Sequence, residues 1–505
     1  MFNKPLTALL IIYSILFSGT GIQAGEDSAA PDPIAPVGEI FSDPGGNGGK
    51  KPSASSNANI DARAMYGQYN NIFSSMSLTQ NFEGFSYQLN SNLKRSNDYG
   101  YENSSYYENE LGFTGSYTLN ELWLITPQIS INNESHGMYD NQTFSREEKD
   151  RFAVQMKSTY NSNPTAWEFS VNGAQYVHRL IPADPDDVVR SGFFRVSEDV
   201  AWEYILSASN KFRIEHSYYH YFYSTDSADD DYYTANRAVA DMKLMEYVKL
   251  ISAVYCDWNR DTGAFVSGKA GFASSGLKST TWEVNYEYYL KPFKPENFNF
   301  EQKFISPNYN LPPEKIHHAN MKYGYDWNKN SNADRYLKKY ALTAEISADI
   351  SDNYYNYATT SAAENLIDAE PVESSQYKIK GETQIDWKVY FSILTAGLFC
   401  EYNYYRSDVN ITYKPEIRGG VSLKYKDALY EVEWNNTAAG PFFLDPYTDR
   451  SADGLILGAL MVQKKIYDTF YLYGRIDNLY NDDYSLRFGY PEPGITFLAG
   501  LRVKI

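Results

Sequence analysis

The sequence predicts an all-β fold, a transmembrane antiparallel β-barrel of about 20–22 strands with short turns at one end and long loops at the other. Three observations carry this. From about residue 61 to Ile505 hydrophobicity alternates with period two, with no helical stretch between. The connections alternate in length. The chain also carries 47 Tyr, 27 Phe and 8 Trp although its mean hydropathy is polar. A barrel reconciles the last two facts. Only alternate residues of each strand face lipid, so the average stays polar, and aromatic rings gather where strands cross a membrane interface.

The alternation is direct in three runs. Phe85, Tyr87, Leu89 and Leu93 alternate with Ser86, Gln88, Asn90, Asn92 and Lys94. Trp167, Phe169 and Val171 alternate with Glu168, Ser170 and Asn172. Trp282, Val284, Tyr286 and Tyr288 alternate with Glu283, Asn285 and Glu287. Such spacing sends one set to an apolar phase and the other to water. The clearest unit is a hairpin around Asp427-Ala428. Val421, Leu423 and Tyr425 share a face with Tyr430, Val432 and Trp434, while Lys424 and Lys426 oppose Glu431 and Glu433. A one-residue slip would invert these assignments, so they define a register. Trp167, Trp282, Tyr430, Val432, Trp434, Phe497 and Leu501 are expected outside. Glu168, Glu283, Glu431, Glu433 and Arg502 are expected in the lumen.

Short turns are read at Asn81 to Gly84, Asn161 to Pro164 and Asp427-Ala428. Long loops are read at Ile181 to Val189, Ser224 to Tyr233 and Ala358 to Ser375. At roughly 20 residues per strand and connection, the chain beyond residue 60 allows about 22 strands.

The N-terminus sets the compartment. Lys4 precedes an apolar run from Leu6 to Phe17, and the stretch to Ala24 has the small residues of a cleavage site. Residues 1–24 are read as a signal peptide, too short to span a membrane. Residues 25–60 are rich in Pro, Gly, Ser and Asp and are read as a flexible periplasmic arm. The barrel is assigned to residues 61–505, and the location to the bacterial outer membrane.

A net charge of −18 argues against nucleic acid as a partner. The two cysteines, Cys256 and Cys400, are read as unpaired. His216 and His220 share a strand face but lie about 13 Å apart, too far to bind one metal ion together. His317 and His318 point to opposite faces. Asp226, Asp229, Asp230 and Asp231 lack the spacing and glycine of a Ca²⁺ loop. No catalytic, cofactor or metal residues are assigned, and no enzyme activity is expected.

The C-terminus is more specific. Residues 468–505 read DTFYLYGRIDNLYNDDYSLRFGYPEPGITFLAGLRVKI. Asn478 and Leu479, then Tyr484, Gly489, Tyr490, Pro491, Pro493 and Gly494, then a last strand, resemble the closing strands of TonB-dependent receptors. In this reading Asn478 ends a strand, the prolines stiffen a loop, and Gly494 permits the turn into the final strand. Segments 85–113, 311–327, 376–389 and 411–426 look similar to other strands of that family. The resemblance implies uptake of a small-molecule nutrient (iron chelate, corrinoid or glycan) across the outer membrane. The family fills its barrel with a plug domain and ends in an aromatic residue. Here only the arm precedes the first expected strand, and the last residue is Ile505. A separate plug chain or periplasmic energising protein is therefore expected as a partner. The alternative is a plugless, porin-like barrel. An outer-membrane enzyme or adhesin has no residue in its favour.

Overall fold

The computed structural model describes residues 58–97, 105–138, 144–182, 188–207, 210–224, 231–260, 263–275, 277, 279–292, 294, 311–328, 337–359, 367–389, 391–487, 490–491 and 493–505. The strands are β1 (Ala58–Gly67), β2 (Ile72–Phe82), β3 (Phe85–Ser96), β4 (Tyr106–Thr118), β5 (Trp123–Gly137), β6 (Phe144–Ser162), β7 (Thr165–Pro182), β8 (Val189–Ser207) and β9 (Asn210–Tyr223). They continue with β10 (Asp231–Met245), β11 (Val248–Asn259), β12 (Gly263–Ser274), β13 (Thr280–Lys291), β14 (Glu314–Asn328), β15 (Leu337–Thr359), β16 (Ile367–Val389), β17 (Ser392–Arg406), β18 (Ile417–Lys426) and β19 (Tyr430–Ala439). The last are β20 (Phe442–Phe443), β21 (Ser451–Ala452), β22 (Leu455–Lys465), β23 (Phe470–Asp477), β24 (Ser485–Arg487), β25 (Tyr490–Pro491) and β26 (Thr496–Lys504).

Twenty-two of these form one antiparallel sheet, and β20–β21 and β24–β25 are small hairpins apart from it. Each barrel strand pairs with its neighbours in sequence, and β26 returns to pair with β1, from Asp61 opposite Lys504 to Gly67 opposite Leu498. Ile60 and Ile505 complete the seam by exchanging backbone hydrogen bonds at 2.8 Å. Closure removes the unpaired edge that an open sheet would present to lipid. Among the described residues no helix is long and apolar enough to cross a membrane.

Strand pairing places the expected outer residues on one face. Trp167 lies opposite Trp202, Trp282 opposite Tyr323, Val432 opposite Val462, Trp434 opposite Leu423, and Leu501 opposite Leu472. The other face carries the charges. Lys424 Nζ lies 2.7 Å from Glu431 and 3.2 Å from Glu433, and Lys426 lies 3.1 Å from Glu431. Lys157 meets Glu168 at 3.0 Å and Lys269 meets Glu283 at 3.5 Å. Across the seam Arg502 clamps Asp61 with Nε and Nη2, at 2.9 and 2.5 Å. These pairs continue with Lys378 on Glu345 at 2.8 Å and a two-pronged Arg418–Glu401 contact at 3.0 Å. These stretches of the lumen wall thus pair opposite charges across neighbouring strands. In a variant lacking both cysteines, single cysteines at Trp167, Val432 and Leu501 should resist a membrane-impermeant maleimide in lipid vesicles. Cysteines at Glu168, Glu283 and Glu433 should react. Reversal of the two sets would refute the register.

Connections at the end holding Ile60 and Ile505 are short. Phe82 leads to Phe85 through a turn with Gly84 at φ +73°, and Asp427 Oδ1 accepts from the amides of Leu429 and Tyr430 at 2.7 and 2.6 Å. The opposite end carries the long segments 407–416, 440–454 and 478–495. Several boundaries differ from expectation, and β7 and β10 reach into the loops expected over Ile181 to Val189 and Ser224 to Tyr233. β1 begins at Ala58, so residues 58–60 belong to the barrel wall. The loop expected over Ala358 to Ser375 is mostly strand, because β15 runs to Thr359 and β16 resumes at Ile367. Above the lipid both faces of a strand meet water, so the alternation that marks a strand in sequence fades there while the pairing continues. The signal peptide, most of the arm, Gly489, and Asp226, Asp229 and Asp230 lie outside the described residues.

Candidate functional site at the long-loop mouth of the lumen

The long-loop end is the candidate site, since long loops face outside in transmembrane barrels and loops often carry binding residues. Its described loops are latched together from the strands upward. A bulge between Ser351 and Tyr354, with Asn353 at φ 60°, changes the register of β15 toward the long-loop end. Beyond it Asn356, 1% exposed, reaches into segment 407–416. Its Nδ2 donates to Asn410 O at 2.9 Å, and its Oδ1 accepts from Thr412 N at 3.0 Å. The Thr412 hydroxyl donates to Tyr357 O at 2.8 Å. Tyr413 N then donates to Phe443 O at 2.8 Å, and Asn410 N to Pro446 O at 3.1 Å, tying in segment 440–454. Phe442, Leu444 and Leu455 form a buried cluster there, with Tyr413 and Tyr484 packed against it.

This latch holds Lys414 half-buried, with its Nζ 4.5 Å from the centre of the Tyr354 ring. Below it Lys291 Nζ sits 2.9 Å from Glu314, which also accepts from Ser351 Oγ at 2.6 Å. Tyr355 donates from its hydroxyl to Pro312 O at 2.8 Å. Burial pushes the Lys414 ammonium down to about 8, with Lys291 adding to the effect and Glu314 and Asp349 opposing it. The folded value lies below the ordinary 10.5. Stability associated with this group is therefore present above 10.5 and lost as pH falls through about 8. A half-buried cation whose charge is disfavoured by burial is a site that an anion relieves. Affinity for an anionic ligand should hold below about 8 and fall as pH rises past it, by up to about tenfold per pH unit. Titrations of wild type and Lys414→Gln between pH 7 and 9.5 check this. An equal pH slope in both proteins would remove Lys414 from the site.

A second polar cluster lines the same end across β5, β6 and β7. Glu147 is fully buried, with Lys149 Nζ at 3.1 Å and His178 Nε2 at 2.9 Å. His136 pairs with Glu134, and its ring lies 4.8 Å from that of Tyr106. On the outer face at this level Arg179 bridges Glu148 and Asp150, which marks the level as above the lipid. Sequence reading missed both clusters, because each is assembled from strand ends without a local motif. Among the described residues no group of three or more His, Cys, Asp or Glu is arranged to hold a metal ion.

The residues singled out by the C-terminal motif converge on the mouth in part. Asn478 ends β23 at φ 48° and ties its loop by donating to Asp482 O at 2.8 Å and Pro493 O at 3.1 Å. Leu479 N donates to Gly458 O at 2.8 Å. Tyr484 packs on the cluster of Phe442 and Leu455, and Tyr490 and Pro491 form β25. The reason for Gly494 differs from expectation. It is not among the positive-φ glycines; a Cβ there would lie 2.7 Å from Asn481 Oδ1, which accepts from Ile495 N at 2.8 Å. His216 and His220 lie on the outer row with Ile214, His216 facing Asn236 at 2.9 Å. His317 and His318 face apart, toward Tyr286 and Asp349. Cys256 and Cys400 are unpaired and exposed.

A closed 22-strand antiparallel barrel with latched outer loops and a charged inner wall is a fold shared with solved transporters and receptors. The solved structures it resembles include the copper transporter OprC, at 12% identity and TM-score 0.68 over 90% of this chain and 82% of that one. They also include the siderophore receptor PirA from Acinetobacter baumannii, at 9% identity and TM-score 0.68 over 90% and 81%. The ferric-catecholate import receptor Fiu from E. coli K12 matches at 10% identity and TM-score 0.67 over 90% and 82%. At these identities the likeness is one of fold. No protein-family model and no curated protein matches the sequence.

Proposed function

We propose that this chain is an integral outer-membrane receptor that imports a scarce small-molecule nutrient of the iron-chelate, corrinoid or glycan class. The observation that carries the reading is the match of the whole barrel to solved importers and receptors over 90% of the chain. Lys414 over Tyr354 favours an anionic, ring-bearing chelate among the three classes, since a cation and an aromatic face bind it together. A periplasmic energising protein, or a separate chain that plugs the lumen, is the partner this function calls for. In the same reading residues 1–24 are a cleaved signal peptide and the segment before Ala58 is a periplasmic tether. N-terminal sequencing of the mature protein addresses the first point.

The central test is binding. Purified protein should change its tryptophan fluorescence on titration with a member of one class, and a strain lacking the gene should grow poorly on that compound alone. Silence toward all three classes, together with large steady conductance in planar bilayers, would sink the proposal in favour of an open pore.

A further inference from the structure

The outer wall carries a groove of about 490 Å³ beside the seam of β26 and β1. Its floor is made of small residues on the lipid-facing row. Gly474 of β23 pairs with Ala499 of β26. A Cβ added at Gly474 would meet nothing within 4 Å, so this glycine keeps space open. Two other glycines of the seam serve a different purpose. A Cβ at Gly67 or Gly500 would lie 2.0 Å from Phe497 O or 1.9 Å from Ala64 O, so they permit close backbone approach. Val462, Ile476 and Phe497 wall the groove on the β22, β23 and β26 sides, and Tyr66 closes it on β1.

The row that forms the floor continues to a cation. Ala499 faces Tyr66, Tyr66 faces Ile72, and Ile72 faces Arg95 of β3. Strands lie about 4.8 Å apart, so Arg95 stands about 10 Å beyond Tyr66 on the same outer surface. Arg95 is exposed, and Tyr66 is 60% exposed with its hydroxyl donating to Asn70 Oδ1 at 2.7 Å. A tyrosine with an apolar ring and a polar tip belongs at the depth where chains meet headgroups. The row thus passes from an apolar notch, through an interface residue, to a positive charge.

We propose that this surface seats one anionic phospholipid, with an acyl chain over Gly474 and Ala499 and its phosphate on Arg95. A lipid is the occupant because the groove opens within the apolar band that faces the bilayer, and because the row that forms its floor ends on the cation Arg95. Arg recognises phosphate with a planar pair of donors. The inference rests on membrane placement and not on which nutrient is imported, so a failure of either leaves the other standing.

The test uses the full chain in phosphatidylcholine vesicles doped with phosphatidylglycerol bearing a photoactivatable acyl chain, with adducts mapped by mass spectrometry. Adducts should concentrate on Tyr66 and on the segments around Gly474 and Ala499. Gly474→Leu fills the floor and should lower capture there by about tenfold, the equivalent of about 1.4 kcal/mol. Arg95→Gln should lower capture of the phosphatidylglycerol probe by a larger factor than capture of a phosphatidylcholine probe, whose choline cation already offsets the phosphate charge. If Gly474→Leu does not fold, Ala499→Leu gives the same readout. Adducts spread evenly around the barrel, equal capture of both lipids, or a cross-link between two copies at Tyr66 in place of lipid would each overturn the proposal.

Discussion

Replacing Glu147 by alanine should destabilise the folded barrel by about 3–5 kcal/mol, read as a lowered urea midpoint in lipid vesicles. The carboxylate is fully buried between the Lys149 ammonium at 3.1 Å and the His178 ring at 2.9 Å, and Lys149 is itself 3% exposed. Removing one member of a buried pair leaves the other charge desolvated, which costs more than the pair contributes. The double change Glu147→Leu with Lys149→Met should therefore recover much of the loss. A double-mutant cycle separates the pair from packing. A loss below about 1 kcal/mol in the single variant would mean that the cluster is reached by water.

Asn356→Ala should open the mouth without unfolding the barrel. It removes the acceptor of the Thr412 amide and the donor to the Asn410 carbonyl, both in a buried setting. A buried polar group without a partner costs about 1–3 kcal/mol, so the latch should weaken by about 2–4 kcal/mol. Amide exchange at Thr412 should speed up by at least about tenfold, while β-sheet melting stays within about 1 kcal/mol of wild type. Ligand affinity should fall with it, because Lys414 is placed by this segment. Asn356→Asp keeps the acceptor but turns a buried carboxylate oxygen toward the Asn410 carbonyl, and should weaken the latch at least as much. If exchange at Thr412 is unchanged, the segment is held by its contacts with Phe443 and Pro446 instead.

The wall of the barrel was legible in the sequence and the mouth was not, for one physical reason. Within the lipid band solvent differs on the two faces, so Trp167, Val432 and Leu501 on one side and Glu168, Glu433 and Arg502 on the other declare their directions by type. The Lys424–Glu431 contact was readable from the hairpin alone, since the turn at Asp427 fixes which residues oppose. Above the lipid that contrast ends. Asn356 looks like any other polar residue in a mixed run, and its partners Asn410 and Thr412 come from another loop. The same loss of contrast made the upper parts of β15 and β16 look like a loop. The C-terminal motif singled out Asn478 and Tyr484. It gave no sign that Tyr484 packs against residues from 442 to 455, because that contact belongs to tertiary folding.

The paired charges that line the inner wall have a consequence for anything moving along it. Neighbouring strands lie about 4.8 Å apart, well inside the screening length of about 8 Å at physiological ionic strength. Cations and anions alternating at that spacing cancel in the far field. A solute near the axis therefore feels almost no monopole from Lys378, Glu345, Arg418 or Glu401, only short-range dipoles close to the wall. Such a conduit is electrically quiet. It neither hoards ions of one sign nor repels the other, and discrimination is left to the rim where Lys414 stands.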